Sequence, residues 1–441
     1  MSKKRETNTN KFSTTKSPSL AKIRSYNEVT EYKIRTNGLT VLYVHKPGSS
    51  VVTSNIMYKV GSRDEKRGET GIAHMLEHMV FKPTSHDVKR KTDSAAMVFE
   101  SETGAIVNAN TWKDRTTYYF SYPSEHFDRA LRIEAERMHG VILTDKQFKP
   151  ERTNVLSEYD MYAGEEEFAL SVQMSNVAFQ SHPYGHETIG FREDIEAYTT
   201  EMLQTFYETY YAPNNAVLTV IGDVTEAIMK KAVLKHFGLL TPSLKLTPRI
   251  KITEPKQEGL RTITIKRKSS TNVYALGILN DGFPQKGWFE TMAILDMLAG
   301  GTDSILHKKL VDTGLATQIQ TSIEPLQDKN LATIFVILST KATNEKIHTI
   351  IQNTIKSLTL KIIKPYLKKT TAKALVGEYT TRESSLGYTA ELVEYISAGA
   401  PEQFFATEKL LTSITPRDIL IRAKSVFDES QITIGYFIGT P

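Results

Sequence analysis

One order of apolar runs appears twice along this chain, and any fold for it must accommodate both copies. In the first half, Leu39–Val44 and Val51–Val60 carry the β-branched and aromatic residues of strands, with Lys46, Pro47 and Gly48 as the turn between them. A helical pattern runs from Thr70 to Phe81 and is stopped by Pro83. Thr116–Tyr122 is a further strand, ended by Pro123, and Glu125–Leu143 places Phe127, Ala130, Leu131, Ile133, Ala135 and Met138 at helical intervals. Lys149, Pro150 and Glu151 open a long helix, with proline in the first turn, where a missing N–H costs nothing. Ala216–Asp223 is the strand that closes the half. The order then restarts with strands Leu260–Lys266 and Asn272–Ile278, helix Trp288–Leu298, strand Ala332–Leu338, helix Asn344–Thr359 and a closing strand Gln431–Gly439. This reads as a diverged duplication of the α+β class: two homologous domains, each a mainly antiparallel sheet with helices packed on it. The expected first domain is 29–240, the linker 241–257 and the second domain 258–441, after a basic, disordered tail over 1–28.

Composition removes several function classes. At 441 residues and 40% hydrophobic content the chain can bury two cores of ordinary size. No apolar run approaches the roughly 18 residues of a membrane-spanning helix, so no membrane span is expected. With no cysteine, disulfides and thiolate ligands are excluded, and a metal must be held by imidazole and carboxylate. The net charge of +5 is modest and gathers in two places. In the amino-terminal segment Lys3, Lys4, Arg5, Lys11, Lys16, Lys22 and Arg24 outnumber Glu6, without the apolar centre of a secretory signal. A disordered tail is expected there, an organellar transit peptide being the alternative. The stretch Lys230–Lys268 has few aromatics for base stacking and no recognised motif, and reads as solvated linker and edge strand, so no nucleic acid is expected as a partner.

The chemistry is concentrated in His74-Met75-Leu76-Glu77-His78. At about 100° per residue, histidines four apart project from one helix face and can share a metal ion. Glu77 lies on the flank of that face, where a carboxylate can take a proton from a water that the metal activates. The order H-x-x-E-H is the inverse of H-E-x-x-H and points to the inverted zincins. Such a site needs a third ligand. The helix that opens near Pro150 carries Glu151 and Glu158, seven apart and so pointing the same way, and two histidines with one glutamate make a common catalytic zinc set with an open fourth position. Two imidazoles and a carboxylate favour zinc.

His74–His78 followed by Glu151-Arg152-Thr153-Asn154-Val155-Leu156-Ser157-Glu158 resembles the pitrilysin/insulinase family of zinc peptidases, the inverzincins, in the half-length form akin to mitochondrial processing peptidase and its bacterial relatives. Val60–Glu65, Asn108–Thr111 with Tyr118 and Tyr119, His182–Gly185 and Tyr211–Ala216 look like further family landmarks, so the resemblance covers most of residues 30–441. It implies one Zn²⁺ per chain on His74, His78 and Glu158, with Glu77 as general base and later proton donor. Glu151 is expected at the catalytic site as well, orienting a ligating histidine or tuning the zinc water, although the helix dipole alone would favour an acid in a first turn. The family stretch matching Val107-Asn108-Ala109 borders the edge strand on which an extended substrate lies, which makes Asn108 and Ala109 the expected substrate-binding residues and short or unfolded peptides the expected substrates.

One departure from the family pattern bears on partners. Active sites of the family are completed by an Arg and a Tyr in a stretch like L-R-x-x-G-L-A-Y, and here Leu310–Thr317 has Val311 and Thr317 at those places. The resemblance therefore implies a zinc endopeptidase that works as a heterodimer, with a homologous partner subunit supplying the Arg/Tyr pair. A non-catalytic or weakly active core or assembly subunit of a larger complex is the alternative. A bacterial cytoplasm is the expected compartment, with the mitochondrial matrix as the alternative. Glu165, Glu166 and Glu167 are expected to continue the Glu158 helix as a solvated face, and His182 and His186 to belong to a structured loop rather than a second metal cluster.

Overall fold

Runs of Val, Ile, Tyr and Thr assemble into two sheets in a computed structural model that describes residues 17–246, 248–249 and 251–440. The first contains β1 (Leu20–Tyr26), β2 (Val29–Ile34), β3 (Thr40–His45), β4 (Val51–Tyr58), β5 (Ile106–Thr111), β6 (Thr116–Pro123) and β7 (Ala216–Gly222), in the order β1-β2-β3-β7-β4-β6-β5. The second contains β8 (Arg261–Lys268), β9 (Val273–Asn280), β10 (Ala316–Ser322), β11 (Asn330–Leu338) and β12 (Ile432–Thr440), in the order β10-β11-β9-β12-β8. Apart from the β1–β2 hairpin the two share one topology. A parallel pair, β3 with β7 or β8 with β12, is followed by antiparallel pairings out to β5 or β10. The long helices repeat as well: Asp145–Ala163 and Leu360–Glu383 each have proline as their sixth residue, Pro150 and Pro365.

Three expectations are corrected. Residues Leu20–Tyr26, placed in the tail, are an edge strand, because Asn27 (φ 48°) turns the chain back into an antiparallel hairpin with β2. Most of that strand is exposed, so it lacks the apolar alternation that marks a strand in sequence. Met1–Lys16 of the expected tail lie outside the described residues. The long helix starts at Asp145 and not at Pro150, so Pro150 lies inside it and forfeits one bond, to the Lys146 carbonyl. Nor is the 241–257 segment simply solvated. Arg249 pairs with Asp64 at 2.6 Å, and the buried Glu254 accepts hydrogen bonds from the backbone of Gln180, Ser181 and His182.

Each half lends a helix to the other half's sheet. Leu170 and Met174, on the helix Glu166–Ala178, pack against Val273, Ala275, Phe335 and Phe437 of the second sheet. Gly277 and Gly435 make room, since a Cβ there would stand 2.9 Å from Met174 Cε and 2.7 Å from Met174 Sδ. In return the helix Ser385–Ser397 sets Tyr388, Leu392 and Val393 in a core shared with Leu42, Val44, Met57, Val217 and Ile221 of the first sheet. Buried charges pin the junction: Arg63 bonds Asp114 and Asp328, both at 2.6 Å, and Lys113 bonds Glu324 at 3.0 Å. The other face of the first sheet carries the helix Ile72–Val80, whose Met75, Leu76 and Met79 are fully buried. That packing turns His74, Glu77 and His78 toward the helix Asp145–Ala163.

Candidate metal centre

The helix Ile72–Val80 begins at Gly71, whose φ of 89° is open to glycine and whose Cβ would strike the Ile189 carbonyl oxygen at 2.3 Å. Its free N–H groups are met by one buried carboxylate, Glu65, which accepts from Gly71 N at 2.8 Å and Ala73 N at 3.0 Å. So anchored, the helix sets His74 Nε2 and His78 Nε2 3.3 Å apart. Glu158 Oε2, from the facing helix, lies 3.9 Å from the first and 3.6 Å from the second. Among the described residues these three are the one group of His, Asp or Glu whose ligand atoms converge, all within 4.8 Å of one another.

The two histidines are held differently. His78 Nδ1 bonds Glu151 Oε1 at 2.9 Å, and the other oxygen of Glu151 takes an ion pair from Lys82. His74 Nδ1 is buried without a partner. Burial, aided by the neighbouring His78, pushes the His74 pKa down to about 3, the neutral form a metal requires. Burial acts the same way on His78, but the bond to Glu151 and the charges of Glu77, Glu151 and Glu158 outweigh it and raise the pKa. Glu151 is held near 2 by the bond to His78 and then by Lys82, against its burial. Glu77 is raised, chiefly by burial, against a hydrogen bond that its Oε2 accepts from Thr111 Oγ1 at 2.6 Å. Of the expected site residues, five are thus brought together: His74, Glu77, His78, Glu151 and Glu158. Lys82 and Thr111 join them unannounced. Lys82 comes four residues after His78, a spacing that could have flagged it, whereas the contact of Thr111 depends on how β5 is placed.

Asn108 and Ala109 lie on β5, which pairs only with β6 and forms one edge of the seven-stranded sheet. Residue parity separates them. Ala109 and Thr111 share the face that meets Glu77, while Asn108 is on the opposite face, exposed, with its Oδ1 accepting from Ala109 N at 2.8 Å. Glu165, Glu166 and Glu167 do not continue the Glu158 helix, which ends at Ala163. Glu165 caps a new one, and Glu166 and Glu167 accept bonds from Ser269 and Gln320 of the second half. His182 and His186 form no cluster: a turn over Pro183–Gly185 separates them, and they bond Asp328 and Glu65 respectively. In the second half, Lys373 stands eight residues after Pro365 as Glu158 stands eight after Pro150, and it bonds Asp296 of the helix Lys286–Ala299 at 2.6 Å. An ion pair ties the two helices there. Val311 is half-buried at the end of the helix Ile305–Leu310, and Thr317 is exposed on β10.

Two imidazoles and one carboxylate, with a further carboxylate on the same helix left free of the ligand set, make the arrangement of a metallohydrolase centre, and the donor set suits zinc. The comparisons with known proteins agree. The family model for Insulinase (Peptidase family M16) matches residues 40–191, and that for the Peptidase M16 inactive domain matches 197–365. The chain belongs to the insulinase family, peptidase family M16. It is 34% identical over 302 residues to the zinc protease PqqE of Helicobacter pylori, covering 67% of each chain. It is 29% identical over 214 residues to a probable mitochondrial-processing peptidase subunit beta of Schizosaccharomyces pombe, covering 48% of this chain and 46% of that one. Among solved structures, a protease from Helicobacter pylori superposes with a TM-score of 0.86 at 26% identity, over 96% of this chain and all of that one. The second family model starts inside the first structural domain, since β7 falls within 197–365 yet completes the first sheet.

Proposed function

We propose that this chain is a zinc-dependent endopeptidase for short or unfolded peptides and the zinc-bearing subunit of a heterodimer. The observation that carries the reading is the convergence of His74, His78 and Glu158, with the Glu77 carboxylate near enough to feel the charges of His78 and Glu158. One zinc ion held by those three residues would polarise a substrate carbonyl and acidify a water. Glu77 would accept the proton of the attacking water and return it to the leaving amine. Thr111 bonds Oε2, which leaves Oε1 as the freer oxygen to take the proton. Burial raises the affinity of Glu77 for that proton and fits it to give the proton back as an acid. The free edge of β5 would receive the substrate as an added strand, with Ala109 on the Glu77 side and Asn108 on the far side. A folded chain cannot be added in that way. The reading carries with it a bacterial cytoplasm or a mitochondrial matrix as the compartment. No helix among the described residues is long and apolar enough to cross a membrane.

The test combines metal content with cleavage of an unstructured peptide for the wild type and Glu77→Gln. We expect about one zinc per chain in both and a loss of cleavage of about 100-fold or more in the variant, as for other positioned acid–base groups. Unchanged cleavage by Glu77→Gln would remove that residue from the mechanism. A wild type that binds zinc but cleaves no peptide, even with a partner, would favour an assembly role.

A further inference from the structure

Lys82 has no place in the ligand set or the proton transfer, yet it is tied to the ligand set through Glu151. It follows the last turn of the metal helix, where Lys82 N bonds the Met79 carbonyl at 3.1 Å. The chain just beyond is fixed by the Thr84–Val141 bridge and by Ser85 N on the Gly140 carbonyl at 2.7 Å. From this anchored start the Lys82 ammonium pairs with Glu151 Oε2, while Glu151 Oε1 holds His78 Nδ1. The carboxylate is 8% exposed and the lysine side chain 34% exposed. Water therefore reaches Lys82 but scarcely reaches Glu151, and without the ammonium Glu151 Oε2 would be left with Asn154 Nδ2 at 3.4 Å, a weak contact. A carboxylate held at one oxygen only can rotate away from the imidazole it orients.

We propose that Lys82 is a positioning residue of the metal centre. By fixing one oxygen of Glu151 it keeps the other on His78 Nδ1, and so keeps His78 Nε2 aimed at the point shared with His74 and Glu158. His74, whose Nδ1 has no partner, is aimed by packing alone, so the orientation supplied through Lys82 falls on one ligand. Partners that orient a ligand in this way are generally worth about 10- to 100-fold in metal affinity.

The inference rests on the zinc site of the proposed function but not on peptide cleavage, and its test reads zinc directly. Zinc affinity is measured by competition with a chromogenic chelator for the wild type, Lys82→Met, Lys82→Arg, Glu151→Gln and the Lys82→Met/Glu151→Gln double variant. We expect Lys82→Met to weaken zinc binding by about 10-fold or more, and Lys82→Arg to recover most of the loss, because its guanidinium can still bond the carboxylate. Once Glu151 is Gln, Lys82→Met should cost nothing further. Melting of the metal-free and zinc-loaded proteins separates this from a structural role. Positioning shrinks the rise in Tm that zinc brings, whereas a structural role lowers both Tm values together. Lys82→Gln serves if the methionine variant does not fold. Equal zinc affinity in the wild type and Lys82→Met, or the same loss with Glu151 replaced, overturns the proposal whether or not the wild type cleaves peptides. Failure of cleavage with the zinc pattern intact would sink only the peptidase reading.

Discussion

Asp328 and Glu378 are carboxylates pushed in opposite directions, and their effects on stability have opposite signs. The hydrogen bond to His182 and the ion pair with Arg63 outweigh burial and hold Asp328 down to about 2, from an ordinary 3.8. Between those values the unfolded chain binds more protons than the folded one, so this contribution is present above 3.8 and is lost as the pH falls toward 2. Glu378 is pushed up to about 7 from 4.5 by burial, with Glu391 and Glu408 adding to it and Arg382 opposing it. There the folded state binds the extra proton, and stability falls as the pH rises from 4.5 to 7. Glu378→Gln, which keeps the shape and never ionises, should flatten that fall and melt ~2 °C or more above the wild type at alkaline pH. Asp328→Asn should instead flatten the loss on the acid side. Tm followed across pH checks both, and a Glu378→Gln profile parallel to the wild type would contradict the assignment.

At the scale of elements, Gly435 sets two preferences against each other. It lies in β12 with Met174 of the exchanged helix on top of it, so that even a Cβ would meet Sδ at 2.7 Å. Strand propensity favours valine over glycine by up to about 1 kcal/mol, whereas overpacking a filled core costs about 1–3 kcal/mol. Packing should win: we expect Gly435→Val to destabilise by about 1–2 kcal/mol in urea unfolding, and Met174→Ala to relieve much of that cost. Such contacts also mark where the sequence stops being readable. β3, β4, β6, β7, β9, β11 and β12 are legible because burial forces apolar residues on them, and the His74–His78 helix because its spacing has a chemical meaning. Edge strands carry less of this constraint: β8 still shows through Ile263 and Ile265 alternating with polar residues, whereas β5, reading Ile-Val-Asn-Ala-Asn-Thr, is half polar. The break at Gly164 that separates Glu158 from Glu165 has a glycine but no proline to announce it. The roles of Thr111 and Lys82, and the exchange of helices between halves, are set by contacts between distant segments, which no local pattern encodes.

Over the whole molecule, the two similar halves carry one candidate metal centre among the described residues, in the first half. Where the first half joins its two helices through His74, His78 and Glu158, the second joins the corresponding helices by Asp296 and Lys373, and a lysine in that position disfavours a metal cation. At the two places where the resemblance leads one to expect an Arg and a Tyr, the second half has Val311 and Thr317. Val311 has no donor in its side chain, and Thr317 Oγ1 is directed to the Ile337 carbonyl at 3.4 Å. A missing oxyanion donor costs about 100- to 1000-fold in rate. On the proposed reading the first half would provide the metal ligands, base and substrate edge, and the heterodimer would provide the rest from a homologous chain with its own Arg and Tyr and without H-x-x-E-H. Co-expression with such a homologue should yield a complex that cleaves an unstructured peptide about 100-fold or more faster than this chain alone, at equal zinc content. Replacing the homologue's Tyr with Phe should return the complex to the rate of the isolated chain, while Glu77→Gln in this chain should abolish the activity of the complex. If the isolated chain already works at the rate of the complex, the donors come from elsewhere in this molecule and the heterodimer is not needed for catalysis.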